Sequence, residues 1–463
     1  MSEFRAYPRL EAFERLQISD GLTINAERWQ QAHKYHRQRQ NFQYQALYEP
    51  GIVYGLGVAP IPEQPDGRLL QVQPGVAIDA QGNPIIVKLP EEFRITSEAT
   101  EGHMLLVYLV VNYVDPDDLR RSPMTTTVSE TFRIVEKLYL DPNDVELCRI
   151  QLLPETTLIQ APADVYVPSP NQLDFRGRCH PKHYPQFSIQ VGQVTGDLTG
   201  DNAPLNGLTD LLRSLNGLYP SLRSAPTVQT CAAKTLSRES PLNCQLLYVS
   251  YNILLTLTNP GLQRLQTYLA QGNVLLVAID FAEANLLNLL DIGQELRSGL
   301  TEAERDGDTH TVRQLQTEVD ANQRTIAQRR FELEQTLTAI APRLGLTLTG
   351  ANLVSGDLSY DHPLRSFPFQ FSQLPHRSGH PIYVKNWGGL VWMVGDLSQS
   401  WGRNAQPTIP REALRSAQEW GINLLHFAAQ RYHWLQSMHP LPPAIPIPSP
   451  LIDSLQHRIH PNL

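Results

Sequence analysis

Asp280 stands where a buried strand releases the chain. In GNVLLVAIDFAEAN, residues 272–285, a helix-ending Gly leads into the apolar run from Val274 to Ile279, and Asp280 and Phe281 follow. In many α/β enzymes that exit carries the nucleophile. A carboxylate there has other uses: metal ligand, base, or cap of the helix that follows, and capping is the favoured reading. Asp361 and His362 form a second group, in the Pro-bounded turn DHPL. With Asp280 they are the candidates for carboxylate or metal chemistry. Cys179, His180 and His183 fall within five residues in CHPKH. Structural zinc takes four ligands, and no second cluster completes this set, so it reads as a metal-free loop. His33 and His36 have no carboxylate or Cys at ligand spacing and read as structural.

The elements that must position these residues come in two grammars. Residues 22–48 read as one helix, with Asn25 as its cap and Trp29, His33, His36 and Leu47 on one face. The period then changes. GIVYGLGVAPIP, GRLLQVQPGVAIDAQGNPIIV, HMLLVYLVVNYV, TFRIVEKLYL and DVELCRIQLLP are β-rich runs separated by Gly, Pro and Asp turns. From about residue 226 the pattern is α/β: a strand in CQLLYVSYNILLTL, a helix in NPGLQRLQTYLAQG with Leu262, Leu265 and Leu269 on one face, and the strand into Asp280. A helix over Arg411 to Trp420 and the segment GINLLHFAAQRYHWLQ close the domain.

Residues 284–345 interrupt it. Two long helices are predicted there, broken at RDGDTH. The first supplies Leu286, Leu289, Leu290, Ile292, Leu296 and Leu300. In the second, Val312, Leu315, Val319, Asn322, Ile326, Arg329 and Leu333 alternate by three and four, a heptad seam with polar interruptions. An antiparallel hairpin is expected, serving as a lid on its own domain or as a contact arm for another subunit.

Composition bounds the function. The 463 residues are 41% hydrophobic and 18% charged, which fits a globular protein of two or three domains and not a disordered chain. A net charge of -8 argues against nucleic acid as the main partner, since phosphate binding needs a basic face. The 4 Cys do not space as a disulfide framework, so a reducing cytoplasm is expected. The start, MSEFRAYPRLEAFERLQ, has no apolar core and reads as no signal peptide. The longest apolar runs are about half a membrane span, so membrane contact is expected only through partners. The tail from 437 to 463 is rich in Pro, extended and stiff, and its Ile445, Ile447 and Leu451 favour lying on a neighbour.

Two resemblances organise these pieces. GIVYGLGV, then LQVQPGVAIDAQGNPIIV, YLVVNYVDPDD, ETFRIVEK and ELCRIQL resemble a module of baseplate and tail proteins in phage-tail-like contractile injection systems. There a helix precedes a G-I/V-x-x-G-L-x-V strand and a V-x-P-G-x-A-I/L-D-x-x-G hairpin, and a strand ending L-A-R-I and an L-D-x-R segment come later. Here the strand ends LCRI, with Cys148 for Ala, and the segment is LDFRGR, residues 173–178. The likeness spans about residues 10–180 and implies an assembly module. LYVSYNILLTLTNPGLQRLQTYLAQGNVLLVAID, DHPLRSF, GLVWMVGDLSQSW and EWGINLLHFAAQ, between about 226 and 435, resemble the flavodoxin-like domain related to glutamine amidotransferases, nearest a bacterial family of unknown function.

Amidotransferase chemistry needs a Cys at a sharp strand-to-helix turn between small neighbours. This chain has Ile279, Asp280, Phe281 and Ala282 at that exit. Cys244 begins a different strand, Cys231 lies in the connection before it, and His426 has nothing to activate. The expectation is an α+β multidomain protein. Residues 1–185 are a β-rich assembly module behind a helix, and 186–225 a linker. Residues 226–283 and 346–436 form an amidotransferase-like, flavodoxin-like α/β domain, 284–345 the inserted hairpin, and 437–463 the tail. The function implied is a structural baseplate subunit with an inactive amidotransferase-like domain: no catalytic residues, no cofactor and no metal. It sits in several copies among other baseplate and tail proteins in a cytoplasmic particle, joined to membranes only through other subunits. Its expected contacts are Val312, Leu315, Val319, Ile326 and Leu333 of the seam, Ile445, Ile447 and Leu451, and Trp387 and Trp392 of NWGGLVWMVGD if these are exposed aromatics; the alternative, slightly favoured, is that the two Trp are core. The competing readings are a hydrolase or amidotransferase-like enzyme using Asp280, Asp361 and His362, and a tail-fibre-like protein binding a surface through its β-rich half.

Overall fold

The computed structural model describes residues 12–61, 66–115, 127, 129–196, 203–236, 242–346, 358–402 and 409–438. The chain is mixed α and β, with several sheets, and divides into two units, Met1–Tyr184 and Pro185–Leu463. Among the described residues no helix is long and apolar enough to cross a membrane.

The first unit opens with α1 (Ala26–Leu47), whose N-cap Asn25 accepts from the Arg28 amide at 2.9 Å. That removes one of the four amides a helix start leaves unbonded. Among the described residues these strands follow: β1 (Gly51–Gly55), β2 (Val58–Pro60), β3 (Leu69–Val72), β4 (Gly75–Ile78), β5 (Pro84–Val87), β6 (Glu91–Arg94), β7 (Leu105–Val114), β8 (Thr131–Lys137), β9 (Val145–Leu152) and β10 (Leu173–Asp174). They make three sheets, ordered β1-β4-β5, β2-β3-β6 and β10-β9-β7-β8. Among the described residues every strand pairing in them is antiparallel. Alternating apolar residues such as Leu70, Val72, Val107, Leu109, Val111, Ile150 and Leu152 fill one shared core.

The β4–β5 turn shows how the sequence sets a hairpin. Asp79 is buried, and its Oδ1 accepts from the amides of Gln81 at 2.9 Å and Asn83 at 2.8 Å. Its Oδ2 accepts from Asn83 Nδ2 at 2.9 Å. Gly82 sits at φ +78° with the Asn41 carbonyl where a Cβ would be, so only Gly serves.

The second unit holds β11 (Phe187–Ile189), β12 (Val191–Thr195), α2 (Ala203–Leu218), β13 (Leu222–Ser224), β14 (Gln229–Ala232), β15 (Leu246–Ser250), α3 (Tyr251–Thr256), α4 (Asn259–Ala270), β16 (Val274–Ile279), α5 (Leu287–Asp306), α6 (Thr309–Ile340), α7 (Pro363–Ser366), β17 (His376–Arg377), β18 (His380–Pro381), β19 (Tyr383–Trp387), β20 (Leu390–Val394) and α8 (Arg411–Ser437). Its main sheet has the order β14-β12-β15-β16-β20-β19. Five strands are parallel, and β19 returns antiparallel along β20. In chain order the parallel strands stand second, first, third, fourth, fifth. All six side chains of β16 are buried, as a strand covered on both faces requires.

The cover comes from two layers. Leu246, Tyr248, Leu276, Ala278, Val391 and Met393 point into a core with α2 and α8. Leu247, Val249, Leu275, Val277, Ile279, Leu390 and Val394 point into a core with α3, α4 and the base of the hairpin. Each buried Val, Leu or Ile contributes about 1.5–3 kcal/mol relative to exposure.

Residues 186–225 are not a linker, because β12 is the first strand of this sheet and α2 supplies one of its covering layers. The run Cys244 to Leu257 is not one strand either. Ser250 ends β15, and its hydroxyl accepts from the Ile253 amide at 3.3 Å, capping α3. Residues 411–437 are one helix through Gly421, where a Cβ would come within 2.8 Å of Leu211. Close approach of α2 explains that mid-helix glycine.

Helices α5 and α6 pack against each other as a hairpin. Gly307 ends α5 in the left-handed region, and Asp308 caps α6 from the His310 and Thr311 amides. Ile326, Leu333 and Leu337 join Leu286 and Leu290 in the core of the domain. Val319 and Ala303, farther out, are buried but belong to no domain core cluster. Its base is therefore fastened to the domain, while its distal half packs on itself. The polar interruptions have partners: Asn322 Nδ2 donates to the Leu289 carbonyl at 3.1 Å, and Arg329 Nε to that of Ala284 at 3.0 Å.

Candidate functional site

Ligands of open parallel sheets bind outside the carboxyl ends of the strands. At that edge β15, β16 and β20 end in Ser250, Ile279 and Val394, with Ala278 opposite Ser250 and Ile279 opposite Val394. Gly395, at φ +95°, follows β20 and leads into Asp396. Tyr248, buried in β15, donates its phenol hydrogen to Asp396 Oδ2 at 2.7 Å. The Ser398 amide donates to Oδ1 and its hydroxyl to Oδ2, both at 2.8 Å.

Burial pushes the Asp396 carboxyl above the usual aspartate range, and the nearby Asp280 charge adds to the rise. The bonds from Ser398 and Tyr248 act against it. Burial and the Asp396 charge hold the Tyr248 phenol well above its ordinary value. The second carboxylate at the edge is engaged as well. Asp280 Oδ1 accepts from the Ala282 amide at 3.0 Å, and Oδ2 accepts from Arg377 Nε at 3.1 Å. Arg377 also donates to Gln399 Oε1 at 2.9 Å. Asp280 thus fixes the turn of residues 281–285 rather than capping a helix directly, since α5 starts at Leu287. The network ties the ends of three strands together through groups that already have partners.

Asp361 and His362 do not join it. His362 caps α7, accepting from the Leu364 amide at 3.2 Å, and its Nε2 meets Asn386 Oδ1 at 3.3 Å. Asn386 pairs with Val391, three residues before the Val394 that faces Ile279. That is about 10 Å down the strand, toward its other end. Asp280 and His362 therefore flank opposite ends of β20, which corrects the expectation of one carboxylate–His site.

His426 is buried on α8 among the rings of Phe187, Tyr219 and Phe367, and burial lowers its pKa. Phe187 precedes β12, so this His also lies where the parallel strands begin. Cys244 is buried with its Sγ 3.7 Å from the Tyr268 hydroxyl, and burial pushes its thiol up to about 11. Cys231 is buried in β14.

In the first unit, His180 Nδ1 meets the Ile52 carbonyl at 2.8 Å, the His183 ring lies against Tyr48 at a tilt of 39°, and Cys179 is exposed. His33 packs edge-on against Trp29 and His36 against Tyr35. The face shared by Trp29, His33, His36 and Leu47 points to solvent, with Trp29 57% exposed. Among the described residues no group of three or more His, Cys, Asp and Glu is placed to hold a metal ion.

Of the expected contact residues, Val319, Ile326 and Leu333 are buried within the hairpin and its base, and Val312 and Leu315 are half-buried nearer its tip. Trp387 and Trp392 are 5% and 2% exposed and stack at 6.5 Å between ring centroids. They are core residues and not exposed aromatics, because β20 is covered on both faces and Trp392 points into the layer that holds α4 and the hairpin base. Ile445, Ile447 and Leu451 lie outside the described residues.

Sequence reasoning passed over Tyr248, Arg377 and Asp396. Asp396 had a signal: Gly-Asp directly after an all-apolar strand, the same grammar that singled out Asp280. Tyr248 and Arg377 had none, since their partners are 148 and 97 residues away. No family model matches this chain, and no curated protein matches it.

Proposed function

We propose that this protein is a structural, baseplate-associated subunit of a contractile injection system, in which an amidotransferase-like domain serves as a scaffold without catalysis. The observation that carries the reading is the state of the strand-exit edge. Asp280 stands where a nucleophile would be, and both its oxygens are committed, one to the Ala282 amide and one to Arg377. The strand order second-first-third-fourth-fifth supports a flavodoxin-like layout for the second unit. The self-packed distal half of the hairpin suits a contact arm. The three antiparallel sheets around one core in the first unit suit an assembly module. Partners on this reading are other baseplate and tail proteins, with several copies per particle.

One observation favours a second reading, a carboxylate-dependent hydrolase or amidotransferase-like enzyme: the raised pKa of Asp396 beside Tyr248, since perturbed carboxyls cluster at functional sites. The test for both is purification of the tagged chain from its native cell at mild salt, followed by electron microscopy of the eluate. Sheathed, tail-like particles carrying tube, sheath and spike proteins support the structural reading. A chain that elutes without such companions overturns it and directs attention to Asp396.

A further inference from the structure

The distal half of the hairpin and helix α1 carry opposite charge. Between Glu295 and Asp320 the arm has seven acids, Glu295, Glu302, Glu304, Asp306, Asp308, Glu318 and Asp320, against Arg297, Arg305 and Arg313. All but Asp320 of these acids are exposed. Helix α1 has Arg28, Lys34, Arg37 and Arg39 against Glu27, with Arg37 paired to Asp115 at 3.0 Å, in a chain whose net charge is -8. None of its 22 residues is buried. A shallow, open hollow on its surface is lined by Phe13, Tyr35, Arg39, Phe42 and Leu47. Large half-exposed aromatics beside arginine are the residue types that anchor protein interfaces.

We propose that the acidic distal arm of one molecule docks on the basic, aromatic face of α1 in a second copy of this chain. The contact is intermolecular and heterologous: one patch gives, a different patch receives. Repeated, such a contact closes into a ring or continues as a filament. Its charge pattern sets orientation and speeds encounter, and it is weakened by salt because both surfaces are solvated. A like pairing is disfavoured, since two arms repel each other and so do two α1 helices. The proposal deepens the assembly reading and rests on it, but its test is independent of any particle.

The test is sedimentation of the purified full chain over a concentration series at low and high salt. The first variant is the arm reversal E302K/E304K/D306K, and the second is the helix reversal K34E/R39E; all five side chains are exposed. Self-association at low salt is expected, with each variant alone weakening it about tenfold or more. An equimolar mixture of the two variants is expected to associate again, because the basic arm of the first meets the acidic α1 of the second and the acidic arm of the second meets the basic α1 of the first; a mixture that stays monomeric also overturns the proposal. The molecule carrying all five reversals restores the match and is expected to associate again. That rescue excludes misfolding as the cause of the losses. A wild-type chain that stays monomeric, association insensitive to salt and to either reversal, or a fivefold variant that stays monomeric overturns the proposal. Membership of a particle, read by the pull-down, can fail or succeed separately.

Discussion

Tyr248 Oη and Asp396 Oδ2 lie 2.7 Å apart, joining the third parallel strand to the turn after the fifth across the end of β16. The bond gives a half-buried carboxyl a third donor, from a strand 148 residues away, beside the two from Ser398. Removing it with Tyr248→Phe leaves Asp396 one partner short, at a cost of about 1–2 kcal/mol in urea unfolding. An unchanged midpoint would show that the bond is absent in solution.

The same carboxyl gives a pH signature of unusual sign. Its folded pKa is raised, so the stability it contributes is fully present below the pKa of the unfolded chain and is lost as pH rises through the folded value. Asp396→Asn removes that dependence. The stability difference, wild type minus variant, is expected to grow as pH falls from about 7 to about 4. Denaturation of both proteins across that range reads it, and a difference that shrinks instead would mean that Asp396 is held ionised.

Two glycines of α2 separate packing from propensity. A Cβ on Gly207 would lie 1.7 Å from the Ser398 carbonyl oxygen, whereas Gly217 has nothing within 4 Å. Gly207→Ala must push back the backbone that carries Asp396's amide donor, and is expected to cost about 1–3 kcal/mol. Gly217→Ala is expected to be neutral or stabilising by up to about 1 kcal/mol. Thermal unfolding of the pair decides, and equal effects would refute the close approach of α2.

Arg365 is buried and spends its guanidinium on three carbonyls: Nε on Phe371 at 3.0 Å, one terminal nitrogen on Leu358 at 2.9 Å and the other on Ser372 at 2.5 Å. It also stacks over Tyr360. Arg365→Ala strands those acceptors and is expected to cost about 3 kcal/mol or more. Arg365→Lys should recover little, because an ammonium cannot reproduce the planar fork. Full recovery by Lys would reduce the role of Arg365 to its charge.

Buried and exposed tryptophans should separate by quenching. Trp29 and Trp434 are 57% and 58% exposed, while Trp387, Trp392, Trp401 and Trp420 are at most 5% exposed. In the double variant Trp29→Phe, Trp434→Phe, iodide quenching of fluorescence is expected to fall to near zero. Strong residual quenching would return Trp387 or Trp392 to the surface.

Local chemistry was legible in the chain alone. Val274 to Ile279 reads as a buried strand because six apolar residues in a row leave no polar face, and it is one. Gly307 and Asp308 mark the hairpin turn because a left-handed residue and a side-chain acceptor are what a helix end and a helix start require. The AQGN turn, the cap at Asn25 and the leucine face of α4 follow from the same short-range rules.

Only the tertiary structure decided which polar groups meet. Asp280 and His362 both looked available, but register along β20 sends them to opposite ends of the sheet. Trp387 and Trp392 read as either surface aromatics or core, and the layer of α4 and the hairpin base decides for core. Residues 186–225 looked like a connection because β12 is five residues long, too short to announce itself, and it becomes a strand by pairing with β15 and β14. Pairing, register and burial depend on residues distant in sequence, and no local pattern encodes them.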